Sequence, residues 1–307
     1  MNTEAARIAF TRTLLELARE DPSLFAVATD SRGSVTLTDF ADELPNQFVE
    51  CGIAEQDAIG ISAGLANGGL RPFVCGPACF YTLRSAEQVK VDVGYSHANV
   101  KIIGVSGGVS YGALGSTHHA TQDIALMRAT PGLEIFLPAD GPQTAALTRY
   151  LAKSDAPAYV RMGRAAVPTI YDDGARFIPG QANRLRSGRD AAVIACGEMV
   201  SIALEAAKLL ACDGIGVSVY DMHTIRPLDE AAILEAADTG FVLTVEEHNI
   251  HGGLGGAVAE VLSQYKPTRM RILGLPDEKL YSGTSGEVFE HYGLTPQGIA
   301  QTVRQWR

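Results

Sequence analysis

The sequence predicts an α/β protein built from two parallel-sheet domains, and three observations carry that prediction. Short β-rich runs alternate with helical patterns over roughly the first 165 residues. The alternation dissolves into prolines, glycines and mixed charge over residues 168–187, PTIYDDGARFIPGQANRLRS, which reads as a linker. A second alternation then fills the rest of the 307 residues, a length that exceeds the usual size of one core. The expected division is a first domain over 1–167, a linker over 168–187 and a second domain over 188–307.

Taken in order, TEAARIAFTRTLLELARE places apolar residues at helical spacing, with Thr3 as N-cap and Asp21-Pro22 as the stop. Leu24 to Ala28 reads as a buried strand, and EQDAIGISAGLAN, residues 55–67, as a helix whose small residues suit close packing. Strands follow at Arg71–Cys75, Val100–Val105, Leu133–Leu137 and Ala158–Arg161, with helices around 84–93, 121–129 and 141–152 between them. Beyond the linker the order is strand Asp190–Ala195, helix Met199–Leu210, strand Gly216–Tyr220, helix Asp229–Ala237, strand Gly240–Val245, helix Leu254–Gln264 and strand Met270–Leu273.

Composition narrows the function. With 25 basic against 35 acidic residues the net charge is −10, which argues against a nucleic-acid or anionic-membrane surface but leaves room for a few arginines that bind phosphorylated substrates. Cys51, Cys75, Cys79, Cys196 and Cys212 sit in apolar segments with no C-x-x-C pair or histidine partner, so they read as reduced, buried thiols and not as metal ligands. The charged start lacks an apolar signal core, and no stretch approaches the roughly 20 apolar residues of a membrane span, so a cytoplasmic protein is expected.

The segment FVECGIAEQDAIGISAGLA places Glu55 where a strand has just ended and a helix opens. In a parallel sheet that is where ligands bind. A carboxylate there is either a first-turn helix stabiliser or a functional group.

GIAEQ with its small-residue helix resembles the pyrimidine-binding domain of transketolases. The flanking runs LFAVATDSRGSVTLTDFADELPNQFVECGIAEQ, RPFVCGPACFYTLRSAEQVKVDV and KIIGVSGGVSYGALGSTHHATQDIALMRATPGLEIFLPAD extend the resemblance, and VLTVEEHNIHGGLGGAVAEVL is similar to the family's C-terminal domain. The resemblance implies thiamine diphosphate as cofactor. Glu55 would bond its aminopyrimidine ring, a role that needs a carboxyl group for proton transfer in a dry site. It also implies an aromatic stacking partner, either Phe80 or Tyr81, on the cofactor-binding helix start that includes Arg84; both rings could instead be core. His118 falls at a cofactor- and substrate-facing histidine, whereas the adjacent His119 reads as a surface-loop residue. Arg164, Arg7 and Ser34 fall at substrate-phosphate positions.

Two departures bear on substrate. Leu114 stands where the family carries an aspartate that contacts a substrate hydroxyl, and Ser106 where it carries a histidine near the substrate phosphate. Phosphopentose specificity is therefore in doubt, and an unusual branched, deoxy or sulfonated sugar is open. In the family the second domain organises the dimer, so His248 and His251 read as structural or interface residues.

No Gly-Asp-Gly motif for a Mg²⁺-bound diphosphate occurs. The resemblance thus implies the carboxy-terminal subunit of a split transketolase, which needs an amino-terminal subunit to hold Mg²⁺ and assembles as an α2β2 heterotetramer. The activity implied is transfer of a two-carbon ketol unit from a ketose to an aldehyde. The alternatives are the beta subunit of a 2-oxoacid dehydrogenase, a deoxyxylulose-phosphate synthase fragment, and a catalytically silent scaffold.

Overall fold

The computed structural model describes residues 2–174 and 177–307; two positions of the expected linker, Ala175 and Arg176, lie outside the described residues. The strands are β1 (Thr3–Ala5), β2 (Leu24–Ala28), β3 (Phe48–Glu50), β4 (Arg71–Pro77), β5 (Lys101–Val105), β6 (Glu134–Phe136), β7 (Ala158–Met162), β8 (Ala166–Pro168), β9 (Asn183–Arg186), β10 (Ala191–Ala195), β11 (Val217–Asp221), β12 (Thr224–Arg226), β13 (Phe241–Asn249) and β14 (Arg269–Leu275). They form a seven-stranded sheet of order β12-β6-β7-β5-β4-β2-β3, a five-stranded sheet of order β14-β13-β10-β11-β9, and the small pair β1-β8.

Both large sheets are parallel except at one edge, where β12 runs antiparallel to β6 and β9 antiparallel to β11. The central strands β5, β7, β10 and β11 and the nine-residue β13 are buried along their whole length, as expected of parallel strands covered by helices on both faces. The helix Glu55–Asn67 has the bounds its small-residue pattern predicts.

Several elements differ from the sequence expectation. Thr3 is not an N-cap: it pairs with Pro168 in β1-β8, and the first helix begins at Ala6 and ends at Ala18. The predicted helix around 84–93 extends over 78–95 and is wound as π turns at Phe80–Arg84 and Val89–Tyr95. The late linker carries β9, and β12 leaves the second sheet to pair with the first. Two helices, Ser285–Tyr292 and Pro296–Trp306, follow the last predicted strand. The cysteines are unpaired, but only Cys75, Cys79 and Cys196 are buried; Cys212 is exposed at the last turn of the helix Met199–Cys212 and Cys51 is half-buried.

A buried polar knot ties the early linker to both sheets. Asp140 caps the helix Gly141–Leu151 through Gln143 N (2.9 Å), and its other oxygen accepts from Ile170 N (2.6 Å) and Tyr171 N (2.8 Å). Tyr171 and Gln143 both donate to Asp221 Oδ2, at 2.6 and 2.7 Å. Because Asp140 satisfies three buried N–H groups, Asp140→Ala should lower stability by about 3 kcal/mol or more, read by thermal or denaturant unfolding. Burial pushes the Asp221 carboxyl up to about 7. A carboxyl raised in the fold favours the folded state while protonated, so this group makes stability fall as pH rises from about 4 to about 7. Asp221→Asn should flatten that part of the stability–pH curve; an unchanged slope would show that Asp221 titrates normally.

Candidate active site

Every residue singled out from the sequence as catalytic or ligand-binding, Arg7 apart, lies beyond the carboxyl end of a strand in the seven-stranded sheet, the edge where open α/β sheets bind ligands. Ser34 follows β2, Glu55 follows β3, Phe80 and Arg84 follow β4, Ser106 and His118 follow β5, and Arg164 follows β7. Arg7 joins them from the first turn of the helix Ala6–Ala18.

Glu55 opens its helix and is 3% exposed, unusually buried for a first-turn carboxylate. Its Oε2 accepts from Arg84 Nη1 at 2.6 Å, and no hydrogen bond reaches Oε1 among the described residues. The turn before it is held by Glu50, whose Oε1 accepts from Asp30 N (2.7 Å) and Gly52 N (3.1 Å). Asp30 and Gly52 both have positive φ, 50° and 68°. Glu50 thereby joins the ends of β2 and β3 in backbone conformations that cost energy, a feature typical of functional sites.

The two candidate rings separate. Tyr81 is fully buried against β4, where a Cβ at Gly76 would overlap its ring, and its hydroxyl lies 3.3 Å from Thr29 Oγ1. Phe80 is half-buried, with the Arg84 guanidinium 4.4 Å from its centroid on one side and the edge-on His118 ring at 5.4 Å on another.

His118 contacts a second ring, Tyr111, at 5.4 Å, and Arg164 lies 5.3 Å from the centroid of Tyr111. The loop that carries Tyr111 and His118 is closed at its base by paired hydrogen bonds between Gly108 and Ala120. Arg7 donates to the Ser34 carbonyl at 2.7 Å, so Ser34 enters through its main chain. Burial, and then the charge of Arg164, lower the Arg7 guanidinium from its usual value. Arg7 Nε and Arg164 Nη1 are buried with no hydrogen-bond partner among the described residues. Two guanidinium groups that repel each other and keep free donors have the chemistry that an oxyanion could satisfy.

The sequence reading placed His119 at the surface, but it is 4% exposed with Nε2 3.1 Å from the Gly112 carbonyl. The bridge at Ala120 folds this end of the loop inward. Leu114 is 56% exposed on the same loop, and Ser106 is buried at φ 60° with its hydroxyl unpaired. His248 is buried and His251 exposed. The sequence reading missed Glu50 and Tyr111. Tyr111 is the one aromatic residue of GGVSYGALG, which is a usable signal, whereas the staple made by Glu50 depends on a fold-dependent meeting of two strand ends.

Among the described residues no group of three or more His, Cys, Asp or Glu side chains is placed to hold a metal ion. A flat heteroaromatic ring does suit the residues present. It would meet a buried carboxylate and, across the Arg84 side chain, a half-buried phenyl ring. The two rings of the helix start should separate in experiment. Tyr81→Ala should cost about 3–5 kcal/mol in unfolding free energy, while Phe80→Ala should cost far less and act on ligand binding. Equal loss of stability in both variants would place Phe80 in the core as well.

Comparison with known proteins agrees with this geometry. Residues 3–169 match the transketolase pyrimidine binding domain and residues 180–299 the transketolase C-terminal domain. The chain is 56% identical to a subunit of the apulose-4-phosphate transketolase of Phocaeicola vulgatus, over 99% of this chain and 98% of that protein. It is 35% identical to the 6-deoxy-6-sulfo-D-fructose transketolase subunit SqwH of a Clostridium species, over 95% and 91%. A solved split-gene transketolase, described as an inactive β4 tetramer, superposes with a TM-score of 0.90 at 37% identity, covering 99% of this chain and 98% of that one. The chain belongs to the transketolase family, in the pyrimidine-binding plus C-terminal form of a split enzyme's second subunit.

Proposed function

We propose that this subunit, with a second chain that holds the cofactor diphosphate and Mg²⁺, transfers a two-carbon ketol unit from a phosphorylated ketose to an aldehyde. Glu55 carries the reading: a carboxylate buried at a strand end beside a half-buried ring, in a chain of the transketolase family. Thiamine diphosphate, when bound, supplies the carbon nucleophile for carbon–carbon cleavage.

This chain's residues do the rest. Glu55 holds a proton at the aminopyrimidine ring nitrogen through its free oxygen, while Arg84 fixes the other. Phe80 offers its face to the ring. His118 moves protons at substrate oxygens, its imidazole set between Phe80 and Tyr111. Arg7 and Arg164 hold the anionic end of the sugar, and the Ser34 carbonyl orients Arg7. The relatives' names support a modified ketose phosphate such as apulose-4-phosphate. Exposed Leu114 and small Ser106 suit a sugar with an apolar or branched feature where common ketoses carry a hydroxyl.

The second chain has a seat beside Glu55. Ile53 is 76% and Tyr95 84% exposed, and Ile61, Leu83 and Val91 add to an apolar surface on the turn and two helices around Glu55. An α2β2 assembly built on this face puts Glu55 at a subunit junction. Unpaired cysteines suit a reducing cytoplasm, and no helix among the described residues is long and apolar enough to cross a membrane.

With the partner subunit present, Glu55→Gln should lower kcat by about 10²–10⁴-fold while leaving the complex assembled, read by coupled ketol-transfer assay and size-exclusion chromatography. Turnover within a few-fold of wild type would favour a scaffold role. A complex that acylates a lipoyl domain but transfers no ketol unit would favour a 2-oxoacid dehydrogenase.

A further inference from the structure

The C-terminal domain reaches into the site loop. Glu247, on β13 of the second sheet, is 4% exposed and accepts from the Val109 amide through Oε1 at 2.7 Å. Val109 lies at the root of the loop that carries Tyr111 and His118. The neighbouring Gly108 has φ 59°, and a Cβ there would run into the Glu247 carboxylate, so the loop is pressed onto this side chain. From the other side, Arg161 of β7 lies against Gly107, donates to the Glu247 carbonyl at 2.6 Å, and stands 2.9 Å from Asp123.

Two further contacts follow the same path. Ser285 Oγ donates to the Val109 carbonyl at 3.3 Å. Glu198, at the start of the helix Met199–Cys212, packs on the backbone of Gly163, the residue before Arg164. Residues of the second domain thus touch the chain immediately before both the loop rings and the anion-binding arginine.

We propose that Glu247 is a positioning residue for the substrate loop: by holding the Val109 amide against Arg161 it sets Tyr111, and through Tyr111 the Arg164 guanidinium and His118.

The clamp is pH-sensitive in a stated direction. Glu247 faces Arg161 from β7, Asp123 from the helix Asp123–Ala129 and Glu198 from the turn after β10, with Tyr159 and Cys196 around the same Arg161; Glu246 and His248, its neighbours on β13, project to the other face of the strand. Burial raises the carboxyls of Glu247 and Glu198, and the charge of Glu198 raises Glu247 further against the pull of Arg161. A raised carboxyl favours the closed clamp while it holds its proton, and the clamp loosens as pH rises through the raised value.

The kinetic arm of the test rests on the transketolase reading; the exchange arm does not. In the complex, Glu247→Ala should raise KM for the ketose phosphate by roughly tenfold and also lower kcat, because the loop it frees carries both the anion-binding end and His118. Glu247→Gln keeps an acceptor for Val109 N–H, so it should restore KM and move the alkaline fall of kcat/KM upward. Hydrogen exchange in the full chain without substrate should show residues 106–118 losing protection in Glu247→Ala and retaining it in Glu247→Gln. Should Glu247→Ala fail to fold, the Glu247→Gln pH profile and Ser285→Ala exchange decide. Unchanged exchange over 106–118 in the folded alanine variant, or a Glu247→Gln alkaline limb identical to wild type, overturns the proposal. If the wild-type complex processes no ketose phosphate while the exchange result holds, the substrate reading has failed and the clamp stands.

Discussion

The position of the site depends on one buried cation. Arg161 is 6% exposed in the middle of β7, where its own desolvation favours losing the proton, yet the charge of Asp123 beside it counters that preference, and its guanidinium also donates to the Glu247 carbonyl. Opening such a cluster would strand a charge in a dry interior, at a cost that surface ion pairs do not carry. Because Asp123 and Arg161 belong to the first sheet's layer and Glu247 to the second, the same cluster fixes how the two sheets meet. Neighbouring contacts reinforce the joint: Asn249 N donates to the Thr121 carbonyl at 2.9 Å, and Arg128 Nη1 to the Gly252 carbonyl at 2.7 Å.

That joint explains why side chains from five strand ends and one helix meet within a single surface. A parallel sheet gives all its strands the same sense, so their carboxyl ends share an edge whatever the loop sequences are. It does not by itself decide how the loops after β5 and β7 lie on that edge. Here the loop after β5 is closed by the Gly108–Ala120 bridge and pressed against the second domain, and the segment after β7 rests on Glu198. The outcome is a continuous path of contacts from Glu55 through Arg84, Phe80, His118 and Tyr111 to Arg164. The carboxylate at one end and the guanidinium at the other are thus held at a set separation.

Much of this was legible in the sequence, for physical reasons that can be named. The helix Glu55–Asn67 is bounded by a strand end and a glycine pair, and its small-residue spacing needs no tertiary information. The buried strands β2, β5, β7, β10 and β11 show as apolar runs because parallel strands are covered on both faces. What escaped were pairings between distant residues with no local period: β1 with β8, over 160 residues apart in register, and β12 with β6. Thr3 was misread as a cap because a threonine before an apolar helix looks alike in either role. The choice between Phe80 and Tyr81 was open because adjacent residues on a helix start differ only by rotation, and here π winding altered the rotation. The role of Glu247 was hidden differently. Two acids inside the apolar run VLTVEEHN were visible, but nothing local tells whether such a pair faces solvent or a buried arginine.

The same geometry makes a split at this point of the enzyme physically reasonable. One apolar cluster runs between the two sheets, joining Val27, Ile102 and Tyr159 to Ile194 and Val242, and the chain also crosses between them through β12 and the knot at Asp140 and Asp221, so the subunit has a packed interior of its own. Among the exposed large apolar side chains, Ile53 stands in solvent on the turn before the Glu55 helix and Tyr95 at the end of the helical run 78–95. The Glu55 carboxylate is buried and held by Arg84. Glu55 is already 3% exposed within this chain, so the dry surroundings that strengthen a carboxyl group's electrostatics come from the subunit's own packing.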